Sequence, residues 1–233
     1  MARFSLIIPC FNEARNIPLL LDHCSKLIES NDIEIILVDN GSTDDTQNVL
    51  RSTIQNYPGC RSIRVDKNKG YGFGILSGLR AAKGNILGWT HADMQTEPAD
   101  FLIGLKFFEQ HDDDEIFCKG KRFGRPFFDI FFTVGMSIFE TILLRSTMWD
   151  INAQPTMFSR KFFESWESPP EDFSLDLFAY FMAKRAKLKI IRFPVKFGDR
   201  AFGSSHWNIS LSAKMNFIKR TLIYSFELRK NLR

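Results

Sequence analysis

Three polar side chains that can bind a divalent metal ion stand at alternate positions in the segment THADMQ, residues 90–95. Because alternate side chains of an extended chain point to the same side, the spacing predicts that His91, Asp93 and Gln95 face one cavity. Carboxylate and carbonyl oxygens, together with substrate phosphates, are typical ligands of Mg²⁺ and Mn²⁺, and an imidazole favours Mn²⁺. The segment is therefore a candidate metal site, and a hydrogen-bonded structural role is the alternative for His91.

The elements that must position this segment alternate between strand and helix. Short apolar runs predict strands at residues 4–9, 33–38, 62–65 and 86–90, each followed by a segment with helical spacing or a helix start. This alternation predicts an α/β fold of the Rossmann-like type, with a mostly parallel sheet and helices on both faces.

Three polar loops begin where these apolar strands end, at residues 10–13, 39–45 and 91–95. In open parallel sheets, ligands bind beyond the carboxyl ends of the strands. We therefore expect the three loops to converge on one edge of the sheet and to form a binding site there.

Length and composition favour one domain of 233 residues with an ordinary apolar fraction of 44%. The four cysteines form no CxxC pair, so no disulfide is required and a reducing compartment is expected. The amino-terminal segment has too short an apolar run for a signal peptide. These features predict a cytoplasmic protein.

The last quarter of the chain is strongly basic. Residues 181–233 hold 13 Lys and Arg against 2 Asp and Glu, whereas the whole chain has a net charge of only +4. Such a segment, which includes a predicted helix at residues 209–230, suits phosphates, an anionic lipid surface or nucleic acid. A solvated helix face is the alternative interpretation.

A long apolar stretch at residues 127–144 predicts a helix at a membrane surface. Asp129 and Glu140 interrupt it, whereas a spanning helix of about 20 residues would carry few or no charges. Basic flanks and aromatic side chains favour an amphipathic helix in the interface, and a buried core helix is the alternative. The basic flanks are Lys121, Arg122, Arg125 and Arg145, and the aromatic side chains are Phe127, Phe128, Phe131, Phe132 and Phe139.

Four blocks of the sequence together resemble the family 2 glycosyltransferases. They are SLIIPCFNEARNI, EIILVDNGSTDDT, NKGYGFGILSGLRAAKGNILGWTHADMQTEP and GDRAFGSSHW, and the resemblance covers about residues 4–207. The most similar branch is that of the polyprenyl-phosphate (dolichol-phosphate) mannosyl- and glucosyltransferases. The resemblance implies a GT-A fold, a UDP- or GDP-sugar donor, and Mn²⁺ or Mg²⁺ as cofactor. It also divides the single domain into a nucleotide-sugar half, residues 1–118, and an acceptor- and membrane-facing half, residues 119–233.

The resemblance assigns residues to the donor and the metal. The DADLQ-type motif that binds both in the family falls on residues 91–95, where His91 replaces the usual first Asp. Metal dependence is expected to persist because Asp93 and Gln95 remain, while the preferred metal can differ. Asp39 corresponds to the Asp that typically contacts the base. The implied donor-binding residues are Pro9, Cys10, Phe11, Glu13, Asp39, Lys69, His91, Ala92 and Asp93.

Catalytic and acceptor residues follow from the same resemblance. Beside Asp93, Arg200 corresponds to part of a basic motif near the diphosphate, and Asp150 stands where the family has an Asp before its acceptor-side loop. A phosphate acceptor needs cations to hold it, whereas a hydroxyl acceptor needs a general base such as Asp150. The other carboxylates available as a base are Glu171, Asp172 and Asp176, and the implied acceptor-binding residues are Lys121, Arg122, Gln154, Ser205 and His206.

The predicted activity is metal-dependent, inverting transfer of a sugar from a nucleoside diphosphate to a polyprenyl phosphate at the cytoplasmic face of a membrane. A metal and basic side chains would stabilise the charge that grows on the departing diphosphate. The first alternative is a glycosyltransferase for a saccharide hydroxyl in surface-polysaccharide or cell-wall biosynthesis. The second is a catalytically degenerate nucleotide-sugar binding protein. A nucleotidyltransferase is disfavoured because no glycine-rich phosphate loop follows the first strand, and no nucleic acid partner is expected.

Overall fold

The computed structural model describes residues 3–28, 32–202 and 211–230. Its strands are β1 Phe4–Cys10, β2 Ile33–Asp39, β3 Cys60–Arg64, β4 Ile86–Trp89, β5 Ile116–Phe123, β6 Thr156–Ser159 and β7 Lys189–Lys196. Its helices are α1 Ile17–Ile28, α2 Thr46–Thr53, α3 Tyr71–Ala81, α4 Asp100–Gln110, α5 Phe127–Leu144, α6 Arg160–Glu164, α7 Leu175–Arg185 and α8 Leu211–Lys230, with a short 3₁₀ helix at Ile54–Asn56.

These strands form one seven-stranded sheet in the order β3-β2-β1-β4-β6-β5-β7. β6 runs antiparallel to its neighbours β4 and β5, and the other pairs are parallel. The predicted α/β class with a mostly parallel sheet is therefore confirmed. β1 and β2 are buried along nearly their whole length, as expected for parallel strands covered on both faces.

Two hydrophobic clusters hold the helices on opposite faces of the sheet. Successive side chains of β1 point to opposite faces, so Leu6 and Ile8 join the cluster with α1 and α4, and Ile7 joins the cluster with α3 and α7. Gly78 lets α3 lie close to the sheet, because a Cβ there would stand 2.4 Å from Ile7 Cγ2. The amino-terminal end of α3 is thereby held beside the carboxyl edge of the sheet.

The second half of the chain continues the same sheet. β5 and β7 pair in parallel over eight residues, and the short strand β6 lies between β5 and β4. None of these three strands was predicted from the sequence. In β5, Lys119, Lys121 and Arg122 interrupt the apolar pattern.

α5 has the predicted bounds and lies on the surface with α8 packed beside it. Ser225 Oγ of α8 donates a hydrogen bond to Glu140 Oε1 of α5 at 2.5 Å, and both residues are buried. Phe139 is half-buried and packs edge-on against Phe226, with 6.3 Å between the ring centroids. Glu140 therefore serves the contact between the two helices, which explains one of the charges in the apolar stretch.

The outer face of α5 is apolar and exposed. Phe127, Phe131 and Ile142 are 75%, 69% and 71% exposed, and Phe132 and Ile138 are more than half exposed. A surface helix is therefore found and a buried core helix is not; the Phe128 side chain lies outside the described part of the structure. Within the described ranges, no helix has both the length and the apolar character needed to cross a bilayer.

Candidate active site

The candidate site lies at the carboxyl edge of β1, β2 and β4, where the three predicted loops lie together. Asn12 joins the first two loops: its Oδ1 accepts a hydrogen bond from the backbone N of Thr43 at 2.8 Å, and its backbone N donates to Ser42 Oγ at 3.0 Å. The third loop lies close to Glu13 in the first loop. Burial raises the pKa of Glu13, and the carboxylate of Asp93, in the third loop, raises it further.

Asp39, the residue assigned to the base of the nucleotide, is a buried carboxylate held by two contacts. Its Oδ2 lies 2.8 Å from Arg64 Nη1, and its Oδ1 accepts from the backbone N of Ser42 at 2.9 Å. Gly41 has a φ of 72°, and a Cβ there would stand 2.4 Å from the backbone N of Asn68. The loop after β2 is therefore packed tightly against the loop before α3.

The other donor candidates differ in exposure. Cys10 lies in the core cluster beside α1, and burial raises the pKa of its thiol well above the ordinary value. Ala92 is buried, whereas Pro9 and Phe11 are partly exposed. Lys69 is exposed, and its Nζ lies 4.8 Å from the centroid of the Phe73 ring. The polar surface at this edge therefore comes from residues other than the Cys10 thiol.

The segment of the predicted metal ligands, residues 91–95, is bent. The prediction of an extended chain from its spacing is therefore wrong. β4 ends at Trp89, and Met94 adopts a left-handed φ of 60°, so residues 91–95 are not extended. The orientation of Asp93 instead comes from a local turn, in which its Oδ1 accepts a hydrogen bond from the backbone N of Gln95 at 3.1 Å. Alternation along a strand does not explain why these side chains would share one side.

Arg200 lies directly against this segment. Its Nη2 is 3.0 Å from Asp93 Oδ2, and the Asp93 side chain is only 8% exposed. Gln95 joins the same two segments through its side chain and its backbone. Its Nε2 donates to the backbone carbonyl of Gly198 at 3.2 Å, and its backbone carbonyl accepts from Gly198 N at 2.8 Å. The structure therefore brings Arg200 and Asp93 together. Ser205 and His206 lie outside the described residues.

His91 faces a mixed aromatic and acidic environment. Its ring stacks on Tyr71, with 5.7 Å between centroids. Burial lowers the pKa of His91, while the carboxylates of Asp93 and Asp176 oppose the shift. The imidazole is therefore neutral near pH 7 and can act as a ligand or hydrogen-bond acceptor. In the part of the chain that the structure describes, no three His, Cys or acidic side chains cluster closely enough to hold a metal alone.

Asp150 is surrounded by arginines. Arg122 contacts it through Nε and through its backbone N, each at 2.9 Å, and Arg125 Nη1 and Arg192 Nη2 lie 3.7 Å from its carboxylate oxygens. Burial raises the pKa of Asp150, but Arg122 and Arg192 outweigh burial, so the net pKa is lowered. A carboxylate held ionised in this way is a weak proton acceptor.

The acceptor candidates among the described residues differ in burial. Lys121 is exposed, whereas Arg122 shares the carboxylate of Asp150 with two other arginines. Gln154 is fully buried and donates through Nε2 to Asp176 Oδ1 at 2.7 Å. Gln154 thus belongs to the interior below the edge, and Lys121 to its surface.

A buried ion pair that sequence reasoning missed lies beneath His91. Lys119 Nζ is 3.5 Å from Asp176 Oδ1, and both side chains are 0% exposed. Lys119 also donates to Thr156 Oγ1 at 2.8 Å, and burial lowers its pKa to about 8. A Lys after the buried residues IFC of β5 was the available signal, because a charge at such a position requires a partner.

Comparison with known proteins identifies the family. The family model described as Glycosyl transferase family 2 matches residues 5–166, well over half of the chain. The chain belongs to glycosyl transferase family 2. The prediction that it is a glycosyltransferase is thereby confirmed.

Curated relatives of this glycosyltransferase carry lipid-phosphate acceptors in their names. The undecaprenyl-phosphate 4-deoxy-4-formamido-L-arabinose transferase of Photorhabdus laumondii is 25% identical over 236 residues, covering 97% of the chain and 70% of the relative. The dolichyl-phosphate beta-glucosyltransferase of Dictyostelium discoideum is 30% identical over 106 residues, covering 42% of the chain and 32% of the relative. The matches therefore span most of one relative and about a third of the other. The predicted similarity to the polyprenyl-phosphate branch is thereby confirmed.

Solved structures confirm the GT-A fold. Glucosyl-3-phosphoglycerate synthase from Mycobacterium tuberculosis, in complex with Mn²⁺, UDP and glucosyl-3-phosphoglycerate, matches with a TM-score of 0.71 and 20% identity, covering 98% of the chain and 80% of that structure. A mannosyltransferase from Pyrobaculum calidifontis, in complex with GDP-mannose and Mn²⁺, matches with a TM-score of 0.69 and 19% identity, covering 98% and 64%.

Proposed function

We propose that this glycosyltransferase moves a sugar from a nucleoside-diphosphate donor to a polyprenyl phosphate, with a divalent cation at Asp93. The observation that carries the proposal is the contact between Asp93 and Arg200 at the carboxyl edge of the sheet. It joins an anionic metal ligand and a cation at one point, where a diphosphate needs both. We assign residues 1–118 to the donor and residues 119–233 to the acceptor and the membrane.

The donor diphosphate would lie between Asp93 and Arg200. Asp93 suits Mn²⁺ or Mg²⁺ as a hard anionic ligand, and the neutral imidazole of His91 and the Oε1 of Gln95 would be the further donors, a set that suits Mn²⁺. Such an ion supplies positive charge against the departing diphosphate. Arg200, whose side chain is 28% exposed, would turn from Asp93 to a phosphate oxygen when the donor binds.

A phosphate acceptor is favoured over a hydroxyl because two of the four candidate bases are poor proton acceptors. Asp150 is held ionised by Arg122 and Arg192, and Asp176 is buried against Lys119. The other two candidate carboxylates remain available to a hydroxyl acceptor. A phosphate oxygen is already nucleophilic and needs only cations. Exposed Lys121 at the end of β5 could provide one.

The membrane contact is proposed from the position of α5. The helix begins four residues after β5 and so starts at the acceptor side of the site, with its apolar face outward. A surface-bound helix of this kind would place the site beside lipid-borne phosphates. We propose that the protein works as a peripheral protein at the cytoplasmic face of a membrane.

An assay of nucleoside diphosphate release tests the function. We expect release from a UDP- or GDP-sugar in the presence of Mn²⁺ to depend on added undecaprenyl phosphate, with formation of the glycosyl lipid. Release that depends instead on a saccharide would establish the hydroxyl-acceptor alternative. Donor binding without turnover under every acceptor condition would establish the degenerate binding protein.

Two exposed aromatic residues of α5 provide a test of the membrane contact. We expect the variant Phe131→Ser/Phe132→Ser to bind phospholipid vesicles at least about tenfold more weakly, because interfacial binding scales with the apolar area inserted. Co-sedimentation with vesicles measures the effect. The matched control is Ile103→Ser on α4, another exposed apolar side chain, which should leave binding unchanged. Equal binding by the α5 variant and the wild type would contradict the contact.

A further inference from the structure

A hollow of about 320 Å³ lies at the carboxyl-terminal end of α5, where α5 meets the end of α7. We call it the α5 pocket. Its lining is half cationic and otherwise mainly apolar, and comprises Leu144, Arg145, Ser146, Phe181, Lys184 and Arg185.

In the described part of the structure, the cations of the α5 pocket have no carboxylate partner. Among the described residues, none of Arg145, Lys184 and Arg185 forms a salt bridge with a carboxylate, whereas Arg122 and Arg192 near the active site share Asp150. Clustered like charges repel one another, and a bound anion would relieve that repulsion. The arrangement therefore suits a phosphate group, with the Ser146 hydroxyl available as a further hydrogen-bond donor.

The apolar face of α5 lies on the same helix as the pocket, which is at the carboxyl-terminal end of that helix. At 3.6 residues per turn, Phe127, Phe131, Ile138 and Ile142 fall within a sector of roughly 60° on the helix, and all four are exposed. The helix is about 27 Å long at 1.5 Å per residue. The apolar stripe therefore runs from the arginine cluster at the active site to Arg145, with cations at both ends.

We propose that the α5 pocket binds the phosphate headgroup of an anionic phospholipid when the apolar stripe lies on a bilayer. An apolar strip bracketed by cations complements a membrane surface, in which acyl chains lie beneath a layer of phosphates. Contact at both ends of α5 would fix the direction in which the active site faces the lipid. The inference rests on the membrane contact of the proposed function and adds a second lipid site to it.

Charge reversal in the pocket tests the inference. The full-length variant Arg145→Glu/Lys184→Glu is compared with the wild type by co-sedimentation with phosphatidylcholine vesicles that contain or lack phosphatidylglycerol. We expect binding to the phosphatidylglycerol vesicles to weaken at least about tenfold. The control Lys26→Glu/Arg51→Glu makes the same change in net charge at exposed positions on α1 and α2, and should bind nearly as well as the wild type.

Each other outcome overturns the inference in a distinct way. Equal losses in both double variants would mean that net charge alone drives binding, and wild-type binding by the pocket variant would mean that the pocket takes no lipid. If inorganic phosphate, at a concentration equal to that of the phosphatidylglycerol, displaces the protein from the vesicles, the pocket binds a soluble anion instead of a lipid headgroup. If the wild-type protein binds neither kind of vesicle, the membrane contact of the proposed function is wrong as well. If only the pocket fails, that membrane contact still stands.

Discussion

Asp93→Ala is expected to lower turnover by at least about 10²–10³-fold, the loss typical when one electrostatic stabiliser of a transition state is removed. The reason is that Asp93 is the carboxylate at this edge that would hold the metal, and the metal would bind the diphosphate. Arg200, which contacts Asp93, supplies a positive charge beside the same position. Asp93→Asn should lose nearly as much, because the amide keeps the shape of the side chain and removes its charge. Release of nucleoside diphosphate measures turnover.

A second measurement separates the loss of the metal from the loss of the fold. Electron paramagnetic resonance of Mn²⁺ in the presence of UDP or GDP should show weaker Mn²⁺ binding by both Asp93 variants, with thermal unfolding near that of the wild type. The control is Asp199→Asn, an exposed carboxylate on the same segment as Arg200. Turnover in Asp93→Asn close to that of Asp199→Asn would remove the metal site and the proposed mechanism with it.

Strands β1, β2 and β4 of the first half were predictable because they are buried on both faces. Uninterrupted apolar runs such as IEIILV identify such strands, and the polar residues that follow them identify the ligand edge. β5 and β7 were missed because each carries several charges. Lys119 is tolerated inside β5 only because Asp176 approaches from α7, a contact between segments far apart in the sequence.

The candidate site was predictable in composition and less so in geometry. The residue types around Asp93 pointed to a metal, but the left-handed Met94 and the turn at Asp93 replace the extended chain that the spacing suggested. Asp150 shows the other limit of the sequence. Its value as a general base depends on three arginines that only the fold assembles around it, from the end of β5, the loop before α5 and β7.

Lys119→Met is expected to lower the free energy of unfolding by about 3–5 kcal/mol, the cost of leaving one member of a buried ion pair without its partner. Asp176 would keep its hydrogen bond from Gln154 but would lose the cation that balances its charge. The double variant Lys119→Met/Asp176→Asn should recover most of that loss, because it leaves no unpaired buried charge and the Asn carbonyl can still accept the hydrogen bond from Gln154. Chemical denaturation of the wild type, Lys119→Met, Asp176→Asn and the double variant measures the coupling between the two residues.

The dependence of stability on pH reports a separate property of Lys119, namely the cost of burying its charge, which outweighs the opposing effect of Asp176 on its pKa. Burial lowers the pKa of Lys119 to about 8 from the ordinary value of 10.5, so between these values the unfolded chain binds more protons at this residue than the folded chain. Lys119 therefore makes the free energy of unfolding rise with pH across that interval, and this contribution is lost as the pH falls towards 8. Lys119→Met should lack the rise, whereas Lys121→Met, two residues along β5 and exposed, should keep it along with wild-type stability. A Lys119→Met protein as stable as Lys121→Met would mean that the pair beneath His91 does not hold this part of the sheet together.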